Sequence, residues 1–360
     1  MALSKIQTSE MLDAPNLGRR NLIINGAMNV AQRGTSFSPP SDGGYVVDRF
    51  HQYQGGGGVF YYEQSTDAPL GFSNSLKITV NTADSSITSG NYYYMRYEAE
   101  GLDCSRLSLG TSDAQKFTLS FYVKSSLTGT FSGAFQNAAT NRSYVFEYTI
   151  NSANTWERKT VTVDGDTSGT WLTNNSVGLR VAFDLGNGSS LRSSAGSWAS
   201  SGNYGSTGSV ELVGTASATL YITGVQLEVG DTATDFEHRS YGEELSLCHR
   251  YFEKFDYAST QFVDSIGYSN GSSTASCMIN YSTKRAAPTI TLPPAGTSGG
   301  ALAFLTGGGG YPSSIGTFTI QLPSTTAARI YGSSFGGYTI GQASALFASG
   351  SCSITIDAEL

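Results

Sequence analysis

The chain has 360 residues, and 28 Asp and Glu outnumber 21 Lys and Arg to give a formal net charge of −7. The basic residues are scattered, with at most two adjacent, which argues against a nucleic-acid binder, because such a protein needs a basic stripe to neutralise phosphate. No apolar run approaches the roughly 20 residues that span a bilayer, so we predict no membrane insertion.

Composition and the start of the chain indicate a folded protein made in a cytosol. Hydrophobic residues reach 39% and charged residues only 14%, which disfavours overall disorder. The first residues lack the apolar block of a secretory signal. The four cysteines show no CxxC spacing, and we predict small buried thiols in a reducing compartment. They are Cys104, Cys248, Cys277 and Cys352.

The first 239 residues divide into an arm and a long β-rich region. Residues 1–20 are polar and without clear period, and we predict an attachment arm there. Residues 21–239 contain short runs of β-branched and aromatic residues separated by Gly, Ser and Asn. In one run Phe117, Leu119, Phe121 and Val123 alternate with polar residues, the period of a half-buried strand. Many such strands predict a jelly-roll β-sandwich over residues 21–239.

A single helix interrupts the β pattern. Ser240 and Glu243 fit a capping box, in which each side chain satisfies a backbone N–H of the other. Apolar residues then recur at three- and four-residue steps, and we predict a helical connector over residues 240–256 whose apolar stripe is covered by a neighbouring module or by another copy of the chain. The residues of this stripe are Leu245, Cys248, Tyr251, Phe252 and Phe255.

The remainder, residues 257–360, returns to short strands with Pro- and Gly-rich loops and predicts a smaller β-domain. The predicted fold class is therefore all-β: a jelly-roll β-sandwich and a smaller C-terminal β-domain joined by one short α-helix.

No arrangement of residues typical of catalysis stands out. HExxH, CxxC and P-loop patterns are absent from the sequence. The acidic pairs Glu98/Glu100 and Asp235/Glu237 could suggest a glycosidase, which needs two carboxylates across the scissile bond. We interpret them instead as exposed strand or turn residues, and predict no catalytic residues and no enzyme.

Aromatic residues in loops are the candidate ligand contacts. Flat rings pack against the apolar face of a sugar. Trp171 lies in a polar turn, and Trp198 and Tyr204 lie in a Gly- and Ser-rich loop. The alternative is that these three rings pack onto the edge of the sandwich. For Tyr61–Tyr62 and Tyr92–Tyr94 the favoured interpretation is core packing, because aromatic-rich strands usually contribute to a core.

Several segments resemble a known class of protein. NLIINGAMNVAQRGTSF with YVVDRF, and GVQLEVG with FEHRSYGEELSLCHRY, are similar to the start and end of a domain common in tail fibres and related virion appendages of tailed phages. STKRAAPTITL and SITIDAEL are similar to the short C-terminal module that often follows it. The central region also resembles carbohydrate-binding modules of the jelly-roll class.

The resemblance implies a structural virion protein, made in the cytoplasm of a bacterial host. It implies a homotrimer that contacts other virion proteins through its arm and meets a host-surface glycan. Two alternatives stay open: a capsid decoration or fibre protein with a spacer role, and, less favoured, a glycan depolymerase.

The resemblance also raises the question of a metal. Jelly-roll carbohydrate-binding modules often hold a structural calcium near the N-terminal strand, where Asn25 and Asn29 stand without the usual acidic residue. The segment DGDTSG, residues 164–169, starts like an EF-hand loop but has Asn175 at the position of the bidentate Glu. We therefore predict no cofactor and no metal site, with a structural calcium as the open alternative.

Overall fold

The computed structural model describes residues 19–38, 40–259, 261–296, 301–306 and 316–360. Most of the predicted arm, residues 1–18, lies outside the described residues. The chain divides into two compact units: unit 1 ends at Glu244 and includes Leu360, and unit 2 is Leu245–Glu359. Within the described ranges, no helix is long and apolar enough to cross a bilayer.

Unit 1 is built from short strands, which pair antiparallel in its two large sheets. In chain order they are β1 (Ser36–Phe37), β2 (Phe50–Gly55), β3 (Val59–Ser65), β4 (Ser75–Thr82), β5 (Tyr92–Glu100), β6 (Phe117–Ser125), β7 (Gly129–Gln136), β8 (Ser143–Ile150), β9 (Glu157–Val163), β10 (Val177–Asp184), β11 (Arg192–Ser193), β12 (Trp198–Ala199), β13 (Gly205–Ser206) and β14 (Thr219–Val229). A one-turn helix α1 (Gly101–Cys104) follows β5.

Two six-stranded sheets form the jelly-roll sandwich that the sequence predicts. Sheet A has the order β1-β3-β4-β14-β6-β9, and sheet B has the order β12-β8-β7-β10-β5-β2. The alternation in β6 is confirmed, since Phe117, Leu119, Phe121 and Val123 are all fully buried in the core between the sheets. Burial of each such side chain stabilises the fold by about 1.5–3 kcal/mol.

The segment 186–209 crosses the outer face of sheet B. Its Ser206 N–H donates to the hydroxyl of Ser132 on β7 at 2.9 Å, and its Asn203 carbonyl accepts from the amide of Gln136 at 2.8 Å. This segment therefore covers the middle of the face and leaves the strands β5 and β2 at its margin.

The connector is shorter than predicted. Helix α2 spans Tyr241–His249, and the Ser240 hydroxyl accepts the Glu243 N–H at 3.3 Å, as the capping box requires. The boundary between the units falls within this helix, after Glu244.

The prediction that Phe252 and Phe255 continue the helical stripe is wrong, because both lie on the next strand. There Phe252 pairs with Asp357 and Phe255 with Ile354. The strand partner lies about 100 residues away in sequence, so the local three- and four-residue spacing could not reveal it. Of the other stripe residues, Cys248 and Tyr251 are buried and Leu245 is half-buried.

Unit 2 contains the remaining strands. They are β15 (Phe252–Tyr257), β16 (Phe262–Gly271), β17 (Thr274–Asn280), β18 (Thr289–Thr291), β19 (Leu302–Thr306), β20 (Thr317–Gln321), β21 (Ala327–Ser333), β22 (Ala343–Ala348) and β23 (Cys352–Asp357).

These strands form a second β-domain with its own core. A three-stranded sheet has the order β15-β23-β18, and a six-stranded sheet has the order β19-β22-β16-β17-β21-β20. Phe304, Ile330, Phe335 and Ile354 are fully buried between them. The all-β fold class, with two β-domains and one short helix between them, is thus confirmed. All four cysteines are free thiols, and only Cys352 is not fully buried.

Candidate functional site

Four tyrosine rings lie together on the outer face of sheet B, and we call them the tyrosine patch: Tyr53, Tyr92, Tyr94 and Tyr204. The rings of Tyr53 and Tyr94 stack with centroids 4.9 Å apart, and Tyr204 stacks on Tyr94 at 4.1 Å. Tyr92 lies 6.3 Å from Tyr94. None of the four belongs to the core cluster between the sheets. Tyr53, Tyr92 and Tyr204 are half-exposed, whereas Tyr94 is only 6% exposed.

Strand alternation explains how these rings reach the surface. In β5, Tyr93, Met95 and Tyr97 point into the core, and therefore Tyr92 and Tyr94 point outward. Tyr53 is directly opposite Tyr94 on β2. Such directly opposed side chains are the closest cross-strand neighbours in an antiparallel sheet.

A glycine makes room for one ring of the patch. Gly55 is directly opposite Tyr92, and a Cβ atom at Gly55 would come within 2.3 Å of the Tyr92 ring. A side chain at this position would displace the ring, so glycine allows Tyr92 to lie against the edge strand β2.

A compact charge cluster underlies the patch. Arg96 and Arg180 both bond the carboxylate of Glu98, at 3.0 and 2.6 Å. Burial opposes the charge of Arg96, yet Glu98 raises the pKa of that guanidinium. Both arginines are thus ion-paired to one acid, and this cluster offers no free cation to an anionic ligand.

His51 lies beside this cluster as a neutral ring. It is directly opposite Arg96 and stacks on Tyr45 with centroids 4.6 Å apart. Burial first, and then the charge of Arg96, lower the pKa of His51 well below its usual value. Its Nε2 has no hydrogen-bond partner among the described residues.

Hydrogen bonds fix the hydroxyl groups of Tyr53 and Tyr92. Tyr53 accepts a hydrogen bond from Arg96 at 2.5 Å, and Tyr92 donates one to Asp42 at 2.9 Å. Burial raises the pKa of Tyr53, the hydrogen bond to Asp42 raises that of Tyr92, and burial followed by Tyr204 raises that of Tyr94. The patch therefore presents stacked rings, hydroxyl groups and one exposed carboxylate.

The carboxylate of Asp184 anchors the segment that carries Tyr204. One oxygen accepts the N–H groups of Gly186 and Asn187, both at 2.8 Å. The other accepts the hydroxyls of Ser132 at 3.0 Å and Ser209 at 3.1 Å. The segment 186–209 is thereby tied at both ends to the last residue of β10, which holds Tyr204 over Tyr94.

The structure brings two of the three predicted contact residues together. Trp171 and Trp198 meet edge to face with centroids 5.4 Å apart, and Trp198 also packs on Tyr144. Both indoles pack against the core, and their N–H groups donate to the carbonyls of Ser168 and Asp164. The two tryptophans thus close the edge of the sandwich.

Tyr204, the third predicted contact residue, lies apart from the tryptophans. Trp198 is on β12, which pairs with β8 at one end of sheet B, whereas Tyr204 stacks above β5 near the other end. Tyr53 was not among the predicted contact residues. The interpretation of Tyr92–Tyr94 as core residues is confirmed for Tyr93, whereas Tyr92 is half-exposed and Tyr94, although only 6% exposed, points to the outer face. The alternation of YYYMRYEAE was the available signal, because only every second ring can point inward.

The interpretation of Glu98 and Glu100 as exposed residues is wrong. They are 2% and 1% exposed. Glu98 is ion-paired with both Arg96 and Arg180. Glu237 accepts the backbone N–H groups of Asn21 and Arg20. Burial opposes ionisation of Glu237, but these hydrogen bonds and Arg239 lower its pKa.

The asparagines considered as calcium ligands have other partners. The Asn25 side chain bonds the backbone of Val30 and Asp48, and the Asn29 carbonyl accepts the amide of Asn74. In the 164–169 segment, Asp166 forms a bidentate pair with Arg142 at 2.6 and 2.7 Å. Over the part of the chain that the structure describes, no three His, Cys, Asp or Glu residues gather as a metal site.

Comparison with known proteins gives distant structural similarity only. No protein-family model and no curated protein matches the chain. A putative sugar binding protein from Bacteroides thetaiotaomicron is 12% identical, with a TM-score of 0.33 over 59% of this chain and 100% of that chain. A CBM4 structure is 13% identical, with a TM-score of 0.29 over 57% and 98%.

The enzymatically active domain of tailspike protein 4 of bacteriophage CBA120 is also similar. It is 13% identical, with a TM-score of 0.30 over 58% of this chain. The match spans only 21% of that tailspike chain. Similarity at this level identifies no family, and the case for a function rests on the tyrosine patch.

Proposed function

We propose that the protein is a non-enzymatic structural component of a phage virion appendage, of the tail-fibre type, that recognises a host-surface glycan through the tyrosine patch. The observation that carries the glycan part is the set of stacked rings held outside the core on sheet B. The virion part follows the resemblance of most of residues 21–290, and of the last strand, to tail-fibre proteins.

The chemistry of the patch suits a sugar. The half-exposed rings of Tyr53, Tyr92 and Tyr204 offer an apolar face to the C–H groups of a pyranose. The Asp42 carboxylate and the tyrosine hydroxyls offer hydrogen bonds at its edge. The rings are held by cross-strand stacking and by the anchored segment 186–209, so little side-chain freedom is lost on binding.

A single patch of this size binds weakly, and adhesion then depends on several copies acting together. We therefore include a homotrimer in the proposal, with the arm of residues 1–20 attaching to other virion proteins. Sedimentation of the purified chain as a monomer at micromolar concentration would contradict the trimer.

A glycan array tests the central part of the proposal. We expect wild type to bind a host glycan, Tyr204→Ala to lose most of the signal, and Tyr241→Ala to bind like wild type. Tyr241 is the matched control, because it is 59% exposed and lies in unit 1 at the start of α2. Equal binding by Tyr204→Ala and wild type would refute the role of the patch.

One observation favours a second candidate, a capsid decoration or fibre protein whose sandwich acts as a spacer. The segment 186–209 occupies the middle of the outer face of sheet B, so much of that face is closed by the chain itself. Immunogold labelling separates the candidates: label on the tail supports the tail fibre, and label on the capsid shell supports the spacer. Release of reducing ends from host polysaccharide would refute the non-enzymatic part of both.

A further inference from the structure

The outer face of sheet A carries a second set of aromatic and charged side chains, which we call the Trp156 strip. Its members lie side by side across four neighbouring strands and two adjoining loops. They are Glu63, Lys77, Tyr221, Lys124, Trp156 and Asp67.

The strip is ordered by strand register. Glu63, Lys77, Tyr221 and Lys124 are directly opposite one another on β3, β4, β14 and β6. At a strand spacing of about 4.8 Å, this row extends over roughly 14 Å. Alternation places these side chains outward, because Leu220 and Ile222 on either side of Tyr221 are in the core.

Trp156 extends the row from the loop before β9. Its ring meets that of Tyr221 at 6.1 Å and 72°, so the two rings form a corner. Its indole N–H donates to Asp67 at 3.1 Å, and the Lys124 ammonium lies 5.3 Å from its ring centroid. The position of this tryptophan is therefore fixed from two sides.

Trp156 differs from the other two tryptophans in its packing. Trp171 and Trp198 pack against the core of unit 1, whereas Trp156 and Tyr221 are not among the described residues that do so. Both rings are nevertheless only partly exposed. These two rings pack on the outer face of sheet A, where a solvated strand normally carries polar residues.

The charges of the strip cancel in pairs. Lys77 bonds Glu63 at 2.6 Å, and Lys124 bonds Asp67. The carboxylate side chains stay 43% and 47% exposed, whereas that of Lys124 is only 11% exposed. Two half-exposed carboxylates thus flank the rings, and they can accept hydrogen bonds from the hydroxyl groups of a neutral ligand. Both lysines of the strip are already paired with these carboxylates, which disfavours an anionic ligand.

We propose that the Trp156 strip is a second carbohydrate platform, for a neutral glycan, on the sheet opposite the tyrosine patch. A second copy of the chain fits this surface less well, because Lys, Glu and Asp are depleted from the centres of protein interfaces. A sugar suits alternating rings and polar groups, since its C–H face packs on a ring while its edge hydroxyls bond the flanking groups.

The test is affinity electrophoresis of the full chain in native gels containing dextran, galactomannan or mixed-linkage β-glucan, with alginate as the anionic polymer. We expect a neutral polysaccharide to retard wild type and alginate not to do so. Trp156→Ala should weaken the retardation about fivefold, and Trp156→Phe should weaken it less, because a ring remains. Tyr241→Ala is the control for surface aromatic loss.

The outcomes separate this platform from the tyrosine patch. If Tyr204→Ala is still retarded and Trp156→Ala is no longer retarded, the result supports the strip. If Tyr204→Ala is no longer retarded and Trp156→Ala is retarded like wild type, the result refutes the strip and supports binding by the tyrosine patch. The strip is also refuted if no neutral polymer retards wild type, or if only alginate does so. If Trp156→Ala sediments differently from wild type but is retarded equally, the strip is a contact between copies of the chain. That result would also refute the carbohydrate platform.

Discussion

The guanidinium carbon of Arg96 lies 4.3 Å from the ring centroid of Tyr53, and Arg96 also donates a hydrogen bond to the hydroxyl of the same tyrosine. One buried cation therefore fixes both the face and the edge of a ring in the tyrosine patch. Because Arg96 is held in turn by Glu98 at 3.0 Å, the surface ring is coupled to the charge cluster beneath it.

We expect Arg96→Met to lower the free energy of unfolding by about 3 kcal/mol, near the lower end for a broken buried ion pair, since Arg180 still pairs with Glu98. Glycan binding should weaken as well, because Tyr53 loses its anchor. Urea unfolding and the glycan array measure the two effects. Arg96→Lys is the control that keeps the charge but lacks the planar fork. Unfolding curves that coincide for Arg96→Met and wild type would contradict the coupling.

Replacement of Trp198 should destabilise the protein more than replacement of Trp156. Trp198 packs on Trp171, Tyr144 and the core, so we expect Trp198→Ala to lower the free energy of unfolding by about 3 kcal/mol. Trp156 lies outside the core, and Trp156→Ala should cost only about 1 kcal/mol. Urea denaturation of the two variants beside wild type measures both values. A larger loss for Trp156→Ala than for Trp198→Ala would be inconsistent with the assignment of Trp156 to a surface platform.

Asp184 should control the order of the segment 186–209. Its carboxylate accepts from Gly186, Asn187, Ser132 and Ser209. In Asp184→Asn an amide group faces these donors, and we expect a loss of about 2–3 kcal/mol with faster amide hydrogen exchange in 186–209. Exchange that accelerates uniformly over unit 1, with no bias toward this segment, would argue against the anchor.

Glu157 gives a pH-dependent contribution to stability. Burial opposes its ionisation, but hydrogen bonds from Lys159, Ser152 and Asn151 lower its pKa from 4.5 to about 2. Ionisation of Glu157 is thus more favourable in the folded protein than in the unfolded chain. Its stabilisation is complete above pH 4.5 and is lost as the pH falls toward 2.

We therefore expect Glu157→Gln to melt at a lower temperature than wild type at pH 7, and this difference to vanish near pH 2. The same bonds hold the loop that ends at Trp156. A melting-temperature difference that stays constant from pH 7 to pH 2 would show that Glu157 has no lowered pKa.

The fold class could be predicted from the sequence because its signals are local. Alternation in β6 places four residues in the core, and the capping box at Ser240 marks the start of α2. The end of that helix could not be predicted in the same way, because pairing of Phe252 with the distant Asp357 converts an apparently helical stripe into a strand.

The candidate site was only partly predictable for a related reason. Tyr204 stands out as an aromatic residue in a polar loop, but its stacking partner Tyr94 is on a strand that also contributes to the core. Alternation along a strand predicts which rings point inward and which point outward. It does not predict which of the outward rings lie together. That choice depends on register between β2 and β5, and on where the segment 186–209 crosses the sheet.

Glycan recognition by the tyrosine patch is tested most directly by the affinities of Tyr204→Phe and Tyr204→Ala for the glycan that wild type binds, measured by isothermal titration calorimetry. If the ring face is the contact, Tyr204→Phe should bind within a few-fold of wild type, and Tyr204→Ala should bind about tenfold more weakly, corresponding to about 1.4 kcal/mol. Equal affinities for wild type, Tyr204→Phe and Tyr204→Ala would contradict glycan recognition by the tyrosine patch.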